Sequence, residues 1–416
     1  MTESVLTPDG IRAELAAWVA RHWDPDMPLR EWRELLADSG WGAPSWPERW
    51  HGRGWPAWTD DVVAVGLIAL GAVGAPVGLG MTLAAPTLLA HASDDVKQRL
   101  LRPILTGEQT WCQLFSEPGA GSDLAGLSTS AARDGAQWVV NGQKVWNTSA
   151  HHADMGMLLA RTDSQVPKHR GLTYLALPMS QPGVEVRPLR QMNFHASFNE
   201  VFLTGALVPG DNVVGEVGQG WAVALTTLAY ERRFGAMRPP AYDPRPGTAL
   251  DEARAESDAH FAVYSWYPQR AGRADLVIEH ARSAGVADDP VIRQAIARVV
   301  TLQRVSTWTA ERARAARAAG ARPGAEGSVG KLALSNLARE SARAHAMIAR
   351  AGALLTGPDS PLEGVIGEVL LSVPAQSIAG GTDEIQRNIL AEKILGLPPE
   401  IRTDKDLPFS QVRARG

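Results

Sequence analysis

Short runs rich in β-branched and aromatic residues are confined to one central third of this 416-residue chain, with long helical periods on either side. The runs fall at 110–115, 137–141, 156–161, 172–178, 184–189 and 200–203, punctuated by the turn formers Asp134-Gly135, Asn141-Gly142 and Pro182-Gly183. Before them, residues 11–22 and 29–39 place apolar side chains at three- and four-residue spacing. After Gly220 the helical period returns, and 291–319 and 331–355 are rich in Ala and Arg, both good helix formers. The pattern predicts an α+β chain with a helical domain over 1–110, a β domain over 111–215, a helical domain over 216–400 and a tail over 401–416. Residues 234–275 interrupt the helical texture with Pro and aromatic residues and read as a lid, an oligomer contact or a surface excursion.

Residues 62–90 contain no charge and are long enough to cross a bilayer. Five glycines, two prolines and bare flanks argue instead for a pair of short buried helices. A net charge of −4 offers no case for nucleic acid or an anionic membrane as partner. The single Cys112 excludes an internal disulfide and a Cys-rich zinc site, and the first residues lack a basic-then-apolar leader, so a cytoplasmic protein is expected. Trp41 and Trp46 flank a Pro-containing loop and are expected to serve packing.

Two runs carry chemistry. In Ser116-Glu-Pro-Gly-Ala-Gly-Ser-Asp123, Gly119 and Gly121 let backbone N–H groups approach a ligand, while Ser116 and Ser122 add hydroxyls. The second is Asn141-Gly-Gln-Lys-Val-Trp-Asn-Thr148, and a third run near the C-terminus reads Ser377-Ile-Ala-Gly-Gly-Thr-Asp-Glu-Ile-Gln-Arg-Asn388. In this order, within a helix–β–helix layout, they resemble the signature segments of the acyl-CoA dehydrogenase family. The segments starting at Phe198 and Val213 also fit, so the resemblance covers residues 10–400.

The resemblance implies a three-part fold, bound FAD and desaturation of an acyl-CoA. It places Phe115, Ser116, Gly121, Ser122, Trp146, Thr148, Arg282, Gly381, Thr382 and Glu384 at the cofactor, and Ser122, Tyr230 and Arg232 at the substrate. Many members carry a catalytic glutamate where this chain has Gly380; others place it on the helix after the β domain, where Tyr230-Glu231-Arg232 stands. Glu231 is therefore the expected base, and the Gly380 backbone keeps the role of donating N–H to the thioester oxygen. A positioned carboxylate takes a proton α to the thioester, and preorganised donors stabilise the enolate charge that develops. An apolar acyl slot would raise the pKa of that carboxyl by desolvation.

The chain departs from the family at several points. Arg282-Ser283-Ala284-Gly285 stands where relatives carry Arg, a spacer and Phe-Gly, and Ile348 stands where a glutamine is common. Met192-Asn-Phe-His195 replaces a Met-Thr-Gly pattern, leaving His195 either a lining of the substrate slot or a plain loop histidine. Implied partners are an electron-transfer flavoprotein or similar acceptor and further subunits, as a homodimer, homotetramer or heteromer. Two rival readings stay open: a non-catalytic or half-catalytic subunit, and a flavin oxidase or monooxygenase on the same fold. There is no Gly-x-Gly-x-x-Gly after a strand and no P-loop, and the adjacent His151-His152 do not suit a metal site on one helix face.

Overall fold

The computed structural model describes residues 6–231, 239–318, 326–401 and 403–413. Of these, the residues in Met1–Leu189, Ala196–Val263 and Asp404–Gly416 form one compact unit, and those in Arg190–His195 and Tyr264–Thr403 a second.

The helices of the first unit are α1 (Pro8–His22), α2 (Leu29–Ser39), α3 (Trp58–Ala69), α4 (Ala85–His91), α5 (Asp94–Thr106), α6 (Gly220–Glu231) and α7 (Thr248–Ala262). The side chain of Thr7 caps α1 by accepting from Gly10 N, and Gly40 ends α2 in the left-handed conformation. Tryptophans organise the N-terminal core. Trp32 is fully buried, donates from Nε1 to Val73 O at 2.7 Å and meets Trp23 edge-on at 4.7 Å. Helix α7 adds Ala249, Leu250 and Ala253 to this core, and its Glu256 pairs with the buried Arg33 at 2.6 Å. The 234–275 segment is therefore no surface excursion over 248–262. Its buried face is built largely from alanine, leucine and serine, which gives a weak apolar period.

The uncharged stretch resolves into α3, a π turn over Gly80–Ala84 and α4, as expected of two short helices. Its burial is one-sided: Val63 and Leu67 are buried, whereas Val65 and Ile68 are exposed. The outward positions of α3 are apolar too, so composition alone could not tell its two faces apart.

Among the described residues eight strands form one sheet: β1 (Trp111–Leu114), β2 (Ser130–Asp134), β3 (Gln137–Thr148), β4 (Met155–Arg161), β5 (Leu172–Pro178), β6 (Val184–Leu189), β7 (Phe198–Pro209) and β8 (Val213–Val214). Their order is β6-β7-β3-β2-β4-β5-β8, with β1 running parallel to β4. Side-chain alternation divides β4 between two cores. Met155, Met157 and Leu159 join residues of α4, α5 and α6, while Leu158 and Ala160 join Val140, Val201 and Leu203. The six expected runs all fall on strands, but 137–141 cuts β3 at Asn141-Gly142, which is no turn, and 200–203 covers only part of β7. The strand continues because Gly142 lies close against Thr129, where an added Cβ would collide with its Oγ1. Strands β2 and β8 gave no signal, since β2 is polar and mostly exposed and β8 spans two residues.

The second unit is helical: α8 (Tyr267–Arg270), α9 (Val277–Ser283), α10 (Pro290–Ala318), α11 (Glu326–Ala349), α12 (Val365–Ser372), α13 (Pro374–Ile378) and α14 (Asp383–Lys393). Val277, Ile292, Val299, Ala344 and Ile348 form one core cluster, and Ala338, Ala342, Val369 and Val373 another. The stretch Pro361–Lys393 is apolar and long enough to cross a membrane by composition. Pro374 and Gly380-Gly381 divide it into α12, α13 and α14. A last helix, α15 (Phe409–Arg413), belongs to the first unit.

Candidate active site

The floor of the site is a buried ion pair. Lys144 is fully buried on β3 and donates from Nζ to Glu117 Oε1 at 3.0 Å and to Phe115 O at 2.9 Å. Glu117 also accepts from the backbone N–H groups of Ser128 and Thr129, at 2.7 and 2.8 Å. Burial pushes the Glu117 carboxyl up, but Lys144 and these donors outweigh it and hold it below the usual carboxylate range. Desolvation pulls Lys144 down to about 8, against the raising effect of Glu117. The loop after β1 is thus pinned to β3 from inside.

Above this floor β3 bulges. Its register with β7 shifts between Lys144 and Asn147, and Val145 N donates to Ser116 O at 2.9 Å, tying the bulge to the loop after β1. Trp146 takes φ 65, a conformation that bulky residues avoid, and stands 56% exposed with Phe198 edge-on at 5.8 Å. A bulge re-aims a side chain, and strained backbone of this kind clusters at functional sites. Asn147, the next residue, is buried and donates from Nδ2 to Gln113 O at 2.7 Å. Its carbonyl accepts from Asn199 Nδ2 at 2.9 Å, while its Oδ1 has no partner. Thr148 ends the strand opposite Phe198, half-buried.

Helix α6 brings up the carboxylate. Thr227, fully buried, lies within hydrogen-bond distance of Thr87 Oγ1 (3.0 Å) and Tyr174 Oη (3.3 Å). These contacts fix the rotation of the helix, and Glu231 follows on the same face four residues later. Glu231 is half-buried and accepts from Gln113 Nε2 at 3.4 Å. Gln113 therefore touches Glu231 with its side chain and Asn147 with its carbonyl, bringing the α6 carboxylate to the Trp146 bulge. Tyr230 is half-buried beside it, and Arg232 lies outside the described residues.

Other predicted residues fall into place unevenly. Phe115 is buried edge-on against Tyr174 at 5.8 Å and serves the floor rather than an open surface. Ser116 is half-buried, while Gly121 and Ser122 lie on the exposed part of the turn that follows. A cleft of about 540 Å³ opens beside that turn, lined by Pro118, Gly119, Ser128, Thr129 and Gln143 among others.

The second unit holds the rest. Gly380 and Gly381 both have positive φ, at 67 and 82, in the loop before α14. Thr382 caps α14 by accepting from Ile385 N at 3.3 Å, and Gln386 Nε2 donates to Gly380 O at 3.0 Å. Glu384 is exposed beside Arg387, and Arg282 is exposed at the end of α9. The buried acid of that loop is Asp383, bonded to Lys331 at 2.8 Å and Arg339 at 2.7 Å, so it clamps α14 to α11. His195 pairs with Glu368 at 2.8 Å and stacks near Trp266, a tether of its loop within this unit.

Sequence reasoning missed Lys144, Glu117, Gln113 and Asn147 as working parts. A signal existed for Lys144. It shares the alternation phase of Trp138 and Val140, which marks a lysine pointing into the core.

The site suits a flavin. An aromatic stands exposed on a strained bulge, a buried Asn147 Oδ1 lacks a partner, and the space a Cβ would take at Gly119 and Gly121 is open. The order of a helical, then a β, then a helical part is that of an oxidoreductase of the acyl-CoA dehydrogenase type. The chain belongs to the acyl-CoA dehydrogenase family: its N-terminal, middle and C-terminal domain models match residues 9–108, 112–205 and 271–395. It is 36% identical over 380 residues to acyl-CoA dehydrogenase IpdE1 of Mycobacterium tuberculosis, covering 90% of this chain and 89% of that one. It is also 36% identical to FadE34 of the same organism, covering 94% of this chain and 49% of that longer protein. Among solved structures, the ChsE4-ChsE5 complex of Mycobacterium tuberculosis aligns at a TM-score of 0.64 and 27% identity, covering 96% of this chain and 100% of that one. The Tcur3481-Tcur3483 steroid acyl-CoA dehydrogenase aligns at 0.64 and 25%, covering 94% and 98%. Family members are flavoproteins and generally bind FAD.

Proposed function

We propose that this protein desaturates the α,β bond of an acyl-CoA with bound FAD, using Glu231 as the base. The observation that carries the reading is Gln113, which joins the Glu231 carboxylate to the Asn147 end of the Trp146 bulge. Glu231 takes the α-proton of the thioester. The Gly380-Gly381 backbone donates N–H groups to the thioester oxygen, where enolate charge develops. Trp146, Thr148, Ser116, Gly121 and Ser122 of the first unit would hold the flavin, Thr382 and Glu384 of the second would serve the rest of the cofactor, and Tyr230 would meet the CoA portion; Arg232, also expected there, lies outside the described residues. When bound, the flavin would accept the hydride that leaves the β-carbon, for onward transfer to an electron-transfer flavoprotein or similar acceptor. A positioned base is worth roughly 10² to 10⁴ in rate, which sets the loss expected in Glu231→Gln.

The acyl group in this reading is steroid-type, on the strength of the steroid enzyme among the structural relatives. The test is an anaerobic titration of flavin-loaded protein with straight-chain and steroid-type acyl-CoAs, following flavin absorbance. Bleaching by one class, lost in Glu231→Gln, supports the base and the substrate together. Bleaching that survives Glu231→Gln refutes the assignment of the base.

A second reading makes the chain one subunit of a heteromer in the cytoplasm. It is favoured by the two structural relatives whose names each pair two proteins, and by a Gly380 that offers no carboxylate. Co-purification with a second chain of similar size would support it.

A further inference from the structure

Residues 404–413 do not trail away from the fold but return to the β domain. Phe409 N donates to Val166 O and Ser410 N to Ser164 O, both at 3.0 Å, and Pro408 bridges to Pro167. Phe409 is buried, with its ring 3.5 Å from the Arg161 guanidinium carbon. Arg161, at the end of β4, is itself buried and gives its donors to three carbonyls: Nη2 to Ala125 at 2.7 Å, Nε to Leu127 at 3.1 Å and Nη1 to Lys168 at 3.1 Å. Lys168 in turn bridges Asp123 Oδ2 at 2.9 Å and Asp404 Oδ2 at 3.1 Å. Two of the three carbonyls and one of the carboxylates belong to the stretch that follows Ser122. That stretch runs directly into Ser128 and Thr129, whose N–H groups hold Glu117.

We propose that residues 404–413 are a positioning element of the Ser116–Asp123 loop: Phe409, stacked on Arg161, and Asp404, paired with Lys168, fix residues 123–129 and through them the loop. The inference rests on the reading above that this loop contacts flavin and CoA. A guanidinium that donates to three loop carbonyls organises them only while its orientation is fixed. The ring face of Phe409 supplies that restraint and an attractive surface for the charge. Neither residue touches a reacting atom.

The test compares wild type, Phe409→Ala, Phe409→Tyr and Asp404→Asn by amide hydrogen exchange on flavin-free protein, then by flavin titration and steady-state kinetics. In Phe409→Ala, amides of 123–129 should exchange about tenfold faster, as expected from losing one desolvated cation–π contact. Flavin should bind less tightly and KM for the acyl-CoA should rise with kcat kept. Phe409→Tyr should restore all three, and Asp404→Asn should give a smaller change in the same direction. Unchanged exchange at 123–129 in both Phe409→Ala and Asp404→Asn would overturn the proposal. So would faster exchange there with flavin affinity and KM unaltered. Wild-type protein that takes up no flavin would instead refute the functional reading, and the exchange data would still decide whether the tail orders the loop.

Discussion

Separating Lys144 from Glu117 should reveal how strongly the floor of the site is coupled. Lys144→Met leaves a carboxylate that is 8% exposed facing a thioether, with only the Ser128 and Thr129 N–H groups against it. Removing one partner of a buried pair costs about 3–5 kcal/mol, and Glu117→Gln should cost a similar amount because it strands the Lys144 ammonium. In the double variant no charge remains. The glutamine keeps one acceptor for the two loop N–H groups, so roughly 1–3 kcal/mol is lost for the other. The two substitutions should therefore be non-additive by at least ~2 kcal/mol. Thermal unfolding followed by tryptophan fluorescence would show each single variant lowered by roughly 3–10 °C, at about 1–2 °C per kcal/mol for a chain of this length. The double variant should be no worse than the weaker single one. A double variant whose loss equals the sum of the singles would mean that the two groups do not act as a pair, and the floor would need another explanation.

Three further outcomes follow from single positions. Burial would raise the Asp383 carboxyl, but Lys331, Ser335 and Arg339 hold it well below the usual carboxylate range. Below about pH 4 the unfolded chain takes up a proton that the folded one refuses, so stability is complete above that pH and falls as acid approaches the folded value; Asp383→Asn should flatten this acid limb in denaturation curves. Gly142→Ala drives a Cβ to 2.7 Å from Thr129 Cα, a backbone atom that cannot swing aside, and should lower the thermal midpoint by an amount equivalent to roughly 1–3 kcal/mol. Gly380 has open space where a Cβ would go but a φ of 67, so Gly380→Glu should cost only about 1–2 kcal/mol in thermal unfolding. In a Glu231→Gln background, that glutamate also offers a second carboxylate, and recovered flavin bleaching would show whether this loop can present a base.

The helices of greatest regularity were legible in the sequence nearly to the residue. Predicted spans 29–39 and 291–319 became Leu29–Ser39 and Pro290–Ala318 because their apolar spacing, or their Ala/Arg content, is unambiguous. Helix α7 was not, because burying Ala249 and Ala253 leaves little contrast with an exposed face. The Asn141-Gly142 turn was a misreading of steric need as turn chemistry. Glycine there answers the approach of Thr129 and leaves the strand intact. Of the candidate site, Trp146, Thr148 and Glu231 were expectations carried by motif resemblance alone. What could not be read was the wiring between them, since Gln113 stands 34 residues from Asn147 and 118 from Glu231 in the chain and meets them only in the folded structure.

The return of Phe409 to Arg161 bears on how the protein comes into being. The first unit is assembled from three stretches, and its closing stretch lies beyond the whole helical second unit. During synthesis the β domain leaves the ribosome long before the aromatic ring that covers Arg161. Until residues 404–413 emerge, this guanidinium lacks the Phe409 ring that lies over it. Contacts of such long sequence separation form late and slowly. The nascent chain therefore passes through a stage in which the sheet is in place and the loop beside it is unfinished, and a ribosome stalled before Asp404 would hold that stage for study.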